Sequence, residues 1–153
     1  MEKNQNEEPV VICEIGGSFD ENIISLIFDS EKLNRQRITE LLGVSPSDAW
    51  NPGEPHVIGN KGETKIHDFG KWILDSTRDN GNINDKIINL LSQCTNDLEK
   101  WKKLSEENNI YLLIVGHLEN WNRGFNINIQ ALKMMVERNI ELSVDVYFWG
   151  NEE

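Results

Sequence analysis

The side chains best equipped for chemistry in this sequence are His56, His67, His117, Cys13, Cys94 and a wide scatter of carboxylates. The histidines lie far apart, and none has a cysteine, carboxylate or second histidine at a zinc-binding interval such as H-E-x-x-H. Cys13 sits in the apolar run VVICEI and Cys94 on an apolar helix face, so both read as small buried hydrophobes in the thiol state. Ser18 and Ser45 lie in no G-x-S-x-G elbow. A phosphate loop and a G-x-G-x-x-G fingerprint are lacking too, and Gly59, Lys61 and Gly62 are a poor substitute. One carboxylate pair, Glu141 and Asp145, falls on the same side of a strand pattern. Four residues of strand separate the pair by ~13 Å, too far to share a proton or act as a glycosidase pair. The sequence therefore assigns no catalytic residue, no metal ligand and no cofactor.

The residue types that remain suit recognition. The stretch GVSPSDAWNPGEP is barred from helix and inner strand by its prolines and glycines, yet carries Trp50 at its centre. An aromatic there is either a peg that holds the loop or a contact for a partner. The stretch IELSVDVYFWG alternates strictly, with Ile140, Leu142, Val144, Val146 and Phe148 on one side and Glu141, Ser143, Asp145, Tyr147 and Trp149 on the other. A face that mixes Asp145 with Tyr147 and Trp149 is of the kind that binds proteins. Trp149 has a second reading, in which it folds back on the loop bearing Trp50.

Charge sharpens that expectation. The chain has 153 residues and a formal net charge of -11, from 26 acidic and 15 basic side chains. Much of the excess lies early, where Glu2, Glu7, Glu8, Glu14, Asp20, Glu21, Asp29 and Glu31 face Lys3 alone. Such a balance repels nucleic-acid backbones and attracts a cationic partner, with Asp20 and Glu21 as candidate contacts. The plainer reading of the same charge is a solvated surface that aids solubility.

The elements that must position these residues follow from pattern. Residues 1–9 are polar and read as a mobile acidic tail ahead of one domain over 10–150. VVICEI and IISLIF read as two strands joined by GGSFDEN in a hairpin. Asn34 caps a helix over LNRQRITELLG, with Leu33 and Ile38 as a hydrophobic staple, Ile38, Leu41 and Leu42 on one face, and Gly43 where the helix stops. Val44 to Phe69 reads as loop, with HVIGNKGETKIH as a short edge hairpin, before the strand GKWILDS. The spacing of Ile87, Leu91, Cys94, Leu98 and Trp101 predicts one long helix from Asn82 to about Asn108. IYLLIVGHL reads as a central strand or one covered on both faces. Asn128 starts a short helix with Leu132, Met135 and Val136 inward, and the alternating segment closes the chain. The sum is an α+β fold: a mixed or mostly antiparallel sheet with helices on one face, built from two strand-helix-strand units joined by the long helix.

ITELLGVSPSDAWNPGEP, GKWILDS, the helix ending in LEKWKKL, and ALKMMVERNIELSVDVYFWG follow one another as in a bacterial family of unknown function, domain family 4279, which the chain resembles from about Ile24 to Gly150. The resemblance implies a fold and a recurring position for Trp50; the family has no catalytic residues to transfer. VVICEIGG and HVIGNKGET depart from its pattern. The expected function is a non-catalytic protein-binding module, most concretely an immunity protein that neutralises a co-encoded toxin with a cationic domain. The alternative is a sensor or enzyme for a small molecule, with a pocket assembled from scattered residues such as Trp50, His67, Trp72 and Asp145. Nucleic acid and membrane are not expected partners, since no stretch approaches the ~20 apolar residues that span a bilayer. With no signal-peptide pattern at the N-terminus, the cytoplasm is the expected address.

Overall fold

A computed structural model describes residues 16–150. The expected tail over 1–9, the strand VVICEI and its hairpin lie outside them. The described residues build a mixed five-stranded sheet in the order β2-β5-β1-β6-β7, from β1 (Glu21–Ser30), β2 (Asp48–Trp50), β5 (Gly70–Asp75), β6 (Asn109–Leu118) and β7 (Glu141–Phe148). A separate two-stranded hairpin joins β3 (Pro55–Ile58) to β4 (Glu63–Ile66). The helices are α1 (Arg35–Leu42), α2 (Ile83–Ser92), α3 (Leu98–Glu107) and α4 (Ile129–Glu137). All ladders of the larger sheet are antiparallel except β6–β7, which α4 connects as a parallel pair.

Cross-strand register shows why one face carries the helices. Leu26 lies beside Leu74 and Leu112, Phe28 beside Trp72 and Ile110, and Ile24 beside Ile114. These residues join Ile38 and Leu42 of α1, Ile87, Leu90 and Leu91 of α2, Trp101 and Leu104 of α3, and Ala131 and Met135 of α4 in one core. Phe28 meets Trp72 edge-on at 5.4 Å and stacks on Trp101 at 6.0 Å, so bulky rings fill the space between sheet and helices.

Caps mark the helix starts. Asn34 accepts from the Arg37 amide and Asn128 from the Ala131 amide, while Gly43 closes α1 at a φ of 74° that other residues adopt at a cost. The predicted long helix is corrected: it is two, α2 and α3. Asp97 accepts from the Glu99 amide and caps a new helix, while the Thr95 amide leaves the helical ladder for the Leu42 carbonyl at 2.8 Å. The Thr95 carbonyl accepts the Trp101 indole N–H at 2.8 Å, which holds the corner shut. Ile87, Leu91, Cys94 and Trp101 are buried as their spacing predicts, but Leu98, in the first turn of α3, is exposed.

Two further expectations need correction. β2 is a short strand inside the segment read as loop, paired to β5 through Asp48, Ala49 and Trp50. On α4 the inner residues are Ala131 and Met135; Leu132 and Val136 face outward, because the helix meets the sheet and its neighbours along a flank rotated from the one the spacing suggested.

Candidate binding surface

No described helix covers the second face of the sheet, and a tryptophan-histidine stack stands at each of its lateral edges. At the β2 edge, Gly70 lets the strands close up: a Cβ there would lie 2.8 Å from both the Leu33 Cβ and the Trp50 carbonyl oxygen. Trp50 donates its indole N–H to the Phe69 carbonyl at 3.2 Å and stacks on His56 at 3.9 Å, with His67 at 5.2 Å. The His56 Nε2 lies 2.9 Å from the Asp48 carboxylate, which can only accept, so the proton sits on Nε2. The Gly53 amide donates to the His67 carbonyl at 2.8 Å, and the β3–β4 hairpin is thus clamped over Trp50. Trp50 is a buried anchor for this hairpin, set apart from the principal core.

At the β7 edge the arrangement is reversed. His117 is buried, and Trp149 stacks on it at 3.9 Å with Tyr147 at 5.5 Å. Its Nε2 lies 3.1 Å from the Arg78 Nη2. A guanidinium only donates, so Nε2 accepts and the imidazole proton is on Nδ1, which is buried without a partner. Arg78 also pairs with Glu21 and lies 5.6 Å over the Trp149 ring. What aims Arg78 has no signature in the spacing of the motifs: the ammonium of buried Lys86 donates to the Asn22 side chain at 2.8 Å, the Asn22 carbonyl at 2.9 Å and the Thr77 carbonyl at 3.0 Å. It also pairs with the Asp79 carboxylate at 2.8 Å. That cage ties the segment around Arg78 to the start of β1. Its trace in the sequence is Lys86 itself, a cation between Ile83 and Leu90 on the buried side of α2.

The cage fixes charge as well. Hydrogen bonds from Lys86, the Thr77 hydroxyl and the Gly81 amide hold the Asp79 carboxyl far below the usual carboxylate range. Asp20 is lowered by the Glu119 amide first and by Arg123 next, whose guanidinium pairs with it at 3.2 Å. Between the two edges runs a half-buried apolar strip of Ile23, Ile73, Leu113 and Val115. Ser25 bonds to Asp75 within the strip, and Tyr111 to Asp29 at its border. Burial, then the neighbouring Asp29, push the Tyr111 phenol up to about 12.

The structure gathers Glu21, Tyr147 and Trp149 into one cluster and sets exposed Asp145 two residues along β7, beside Val115. Asp20 lies next to that cluster, turned toward Arg123. Trp50 is not part of it: four strand spacings, ~19 Å, separate β2 from β7. Trp149 therefore does not fold back on the Trp50 loop. The set Trp50, His67, Trp72 and Asp145 does not converge either, because Trp72 points to the helix side and donates its indole N–H to the Thr39 hydroxyl at 3.0 Å. A groove of about 540 Å³ lies elsewhere, between α1 and residues 46–49, lined by Arg35, Gln36, Thr39 and Asp48 among others. Among the described residues no group of three His, Cys, Asp or Glu could hold a metal ion, and no helix is long and apolar enough to cross a membrane. Cys94 is buried and free, with its thiol pushed up to about 11 by that burial.

Among the described residues, a mixed sheet with four helices on one face and an aromatic, acidic cluster at the rim of the other defines an α+β fold. The family described as a domain of unknown function (DUF4279) matches residues 20–149, and the chain belongs to it. No curated protein and no solved structure matches the chain.

Proposed function

We propose that the protein is a non-catalytic binding module for a cationic protein partner, with neutralisation of a co-encoded toxin domain, as an immunity protein, its most concrete form. One observation carries this reading: Tyr147 and Trp149 stand exposed on the rim, braced from beneath by buried His117, with Glu21 and Asp145 beside them on a chain of net charge -11. A braced aromatic loses little side-chain freedom on binding, which is what an interface anchor requires. Acids around it accelerate encounter with a basic partner.

The test is binding kinetics against the basic domain encoded beside this chain's gene, at two salt concentrations. Association should slow steeply as the Debye length shortens to ~8 Å. Tyr147→Ala should raise the off-rate about tenfold or more, as truncation of a central anchor does. Failure to bind, or binding indifferent to salt, would defeat the proposal. The cytoplasm remains the proposed address.

A further inference from the structure

The helix side of β7 poses a different problem from the rim. Leu142, Val144 and Val146 lie in register beside Leu112, Ile114 and Gly116, yet they are 40%, 42% and 51% exposed, while Leu112 and Ile114 are fully buried. Among the described residues β7 pairs only with β6, so its outer backbone edge is unpartnered. Edges of this kind are normally shortened, charged or covered. Helix α4 shows a matching gap. Ile129, Leu132 and Val136 recur at intervals of three and four, so they form one stripe, and they are 79%, 40% and 73% exposed. Arg138, about a third of a turn or more away around the helix, reaches Asn96 and the Trp101 ring, which places α3 on the other flank. The stripe is therefore turned away from α3.

The geometry points to a second copy of this chain as the occupant, paired antiparallel along β7 about a two-fold axis perpendicular to the sheet. Such an axis keeps the helices of both copies on one face and must pass midway between the two copies of one residue, since opposed side chains share a face. Centred on Val144, it sets Leu142 against Val146, Ile140 against Phe148, Glu141 against Tyr147 and Ser143 against Asp145. Every apolar residue then meets an apolar one, and no carboxylate meets another. Moving the axis to Ser143 opposes Glu141 to Asp145, and moving it to Asp145 opposes the two Asp145 side chains, both of which like-charge repulsion disfavours. The α4 stripes of the two copies would close over the new strand pair. The six side chains expose apolar surface on the order of 600 Å², against the ~800 Å² each partner buries in an ordinary specific interface. The two strands' backbone hydrogen bonds would add to it.

The apolar contact lies on the face of β7 opposite Tyr147 and Asp145, while on their own face the register sets them beside Glu141 and Ser143 of the second copy; substitutions on the apolar face therefore test the dimer without truncating a residue of the proposed partner contact. Because each copy carries a charge of -11, the pair should tighten as salt rises, the reverse of binding to a cationic partner. The experiment is sedimentation equilibrium of the full chain through the micromolar range at low and high salt. The expected mass is twice that of one chain. Val144→Arg, which would place two cations face to face at the axis, and Val136→Glu on α4 should each return the single-chain mass with an unchanged circular dichroism spectrum. A wild-type chain that sediments singly at high salt overturns the proposal. If in that case Val144→Arg also lowers the melting temperature, the face is packed within the single chain; if it does not, the face serves a different protein. A dimer that survives both substitutions would overturn it equally, by placing the contact elsewhere.

Discussion

The two edges of the sheet use the same pair of rings at the same spacing to opposite ends. Trp50 of β2 and His56 of β3 stack at 3.9 Å, and Trp149, next after β7, and His117 of β6 stack at 3.9 Å. At the first edge the tryptophan is inside, 8% exposed, and the histidine closes over it; at the second the histidine is inside and the tryptophan is 55% exposed. The cause lies in what each edge has outside it. β2 is followed by a hairpin that folds back, so its aromatic becomes the floor of a small cluster. Trp149 follows directly on β7, its amide held by the Leu118 carbonyl, and its ring lies as a roof over the His117 imidazole. Burial of the indole makes an anchor, and burial of the imidazole beneath it leaves a braced, exposed ring.

The largest expected effect separates these roles directly. Trp50→Ala should destabilise the fold by about 3 kcal/mol, the lower end for a buried aromatic because its cluster lies outside the principal core. Denaturant unfolding checks it, together with faster proteolytic cleavage in the β3–β4 hairpin. A change below about 1 kcal/mol, typical of surface positions, would erase the contrast between the edges.

Acid should expose a second difference. Asp79 at the β7 edge and Glu54 at the β2 edge both have carboxyls lowered by hydrogen bonds, Asp79 by Lys86 first and Glu54 by the Asn51 amide first. A folded value below the unfolded one contributes stability that is complete above the unfolded carboxylate range of about 4 and is lost as pH falls through the folded value. Wild-type stability should therefore decline as pH drops below about 4. Asp79→Asn should flatten that decline more than Glu54→Gln, because the Asp79 shift is the larger. Thermal melts of the three chains between neutral pH and acid measure the slopes; equal slopes for the two variants would mean that the Lys86 cage is no tighter than the Glu54 contacts.

A smaller change is expected from Arg78→Met. The Arg78–Glu21 pair is half exposed on the arginine side, and exposed pairs contribute ~0–1 kcal/mol. Loss of the guanidinium also frees the Trp149 ring and leaves the His117 Nε2 without its donor. Stability should fall by about 1 kcal/mol, and Trp149 fluorescence should become more accessible to a neutral quencher. If quenching does not change, the ring is held by His117 alone.

How much of this was legible depended on the range of the interactions. α1 and α4 were readable because a capping asparagine and the residues it caps lie within one turn. The break between α2 and α3 was masked by an apolar spacing that continues across it. The decisive groups were Asp97 and the Thr95 amide, and the latter bonds to Leu42, far away in sequence. β2 is three residues long, too short for alternation to show, and becomes a strand only because Trp72 of β5 lies beside Ala49. The rim residues Tyr147, Trp149 and Asp145 were found from the strict alternation of β7. His117 and Arg78 were not, because the bond between them joins β6 to the segment between β5 and α2, and no local pattern encodes that distance.

The smallest stability effect should come from Trp149, the ring that the proposed function makes the anchor. Trp149 is more than half exposed, and its backbone amide donates to the Leu118 carbonyl at 2.7 Å whatever its side chain is. Trp149→Ala therefore removes a stack on His117 and an exposed cation–π contact, and should change the unfolding free energy by less than about 1 kcal/mol. Its effect on a partner should be much greater, since an anchor that is already braced gives up its contact area on truncation without relief elsewhere. Comparing Trp50→Ala with Trp149→Ala in one unfolding assay and one binding assay thus crosses the two edges. The first variant should lose stability, while its folded fraction keeps the wild-type off-rate. The second should keep stability and dissociate about tenfold faster or more. If Trp149→Ala destabilises as much as Trp50→Ala, the roof over His117 is part of the fold, and the β7 rim loses its claim to be a binding surface.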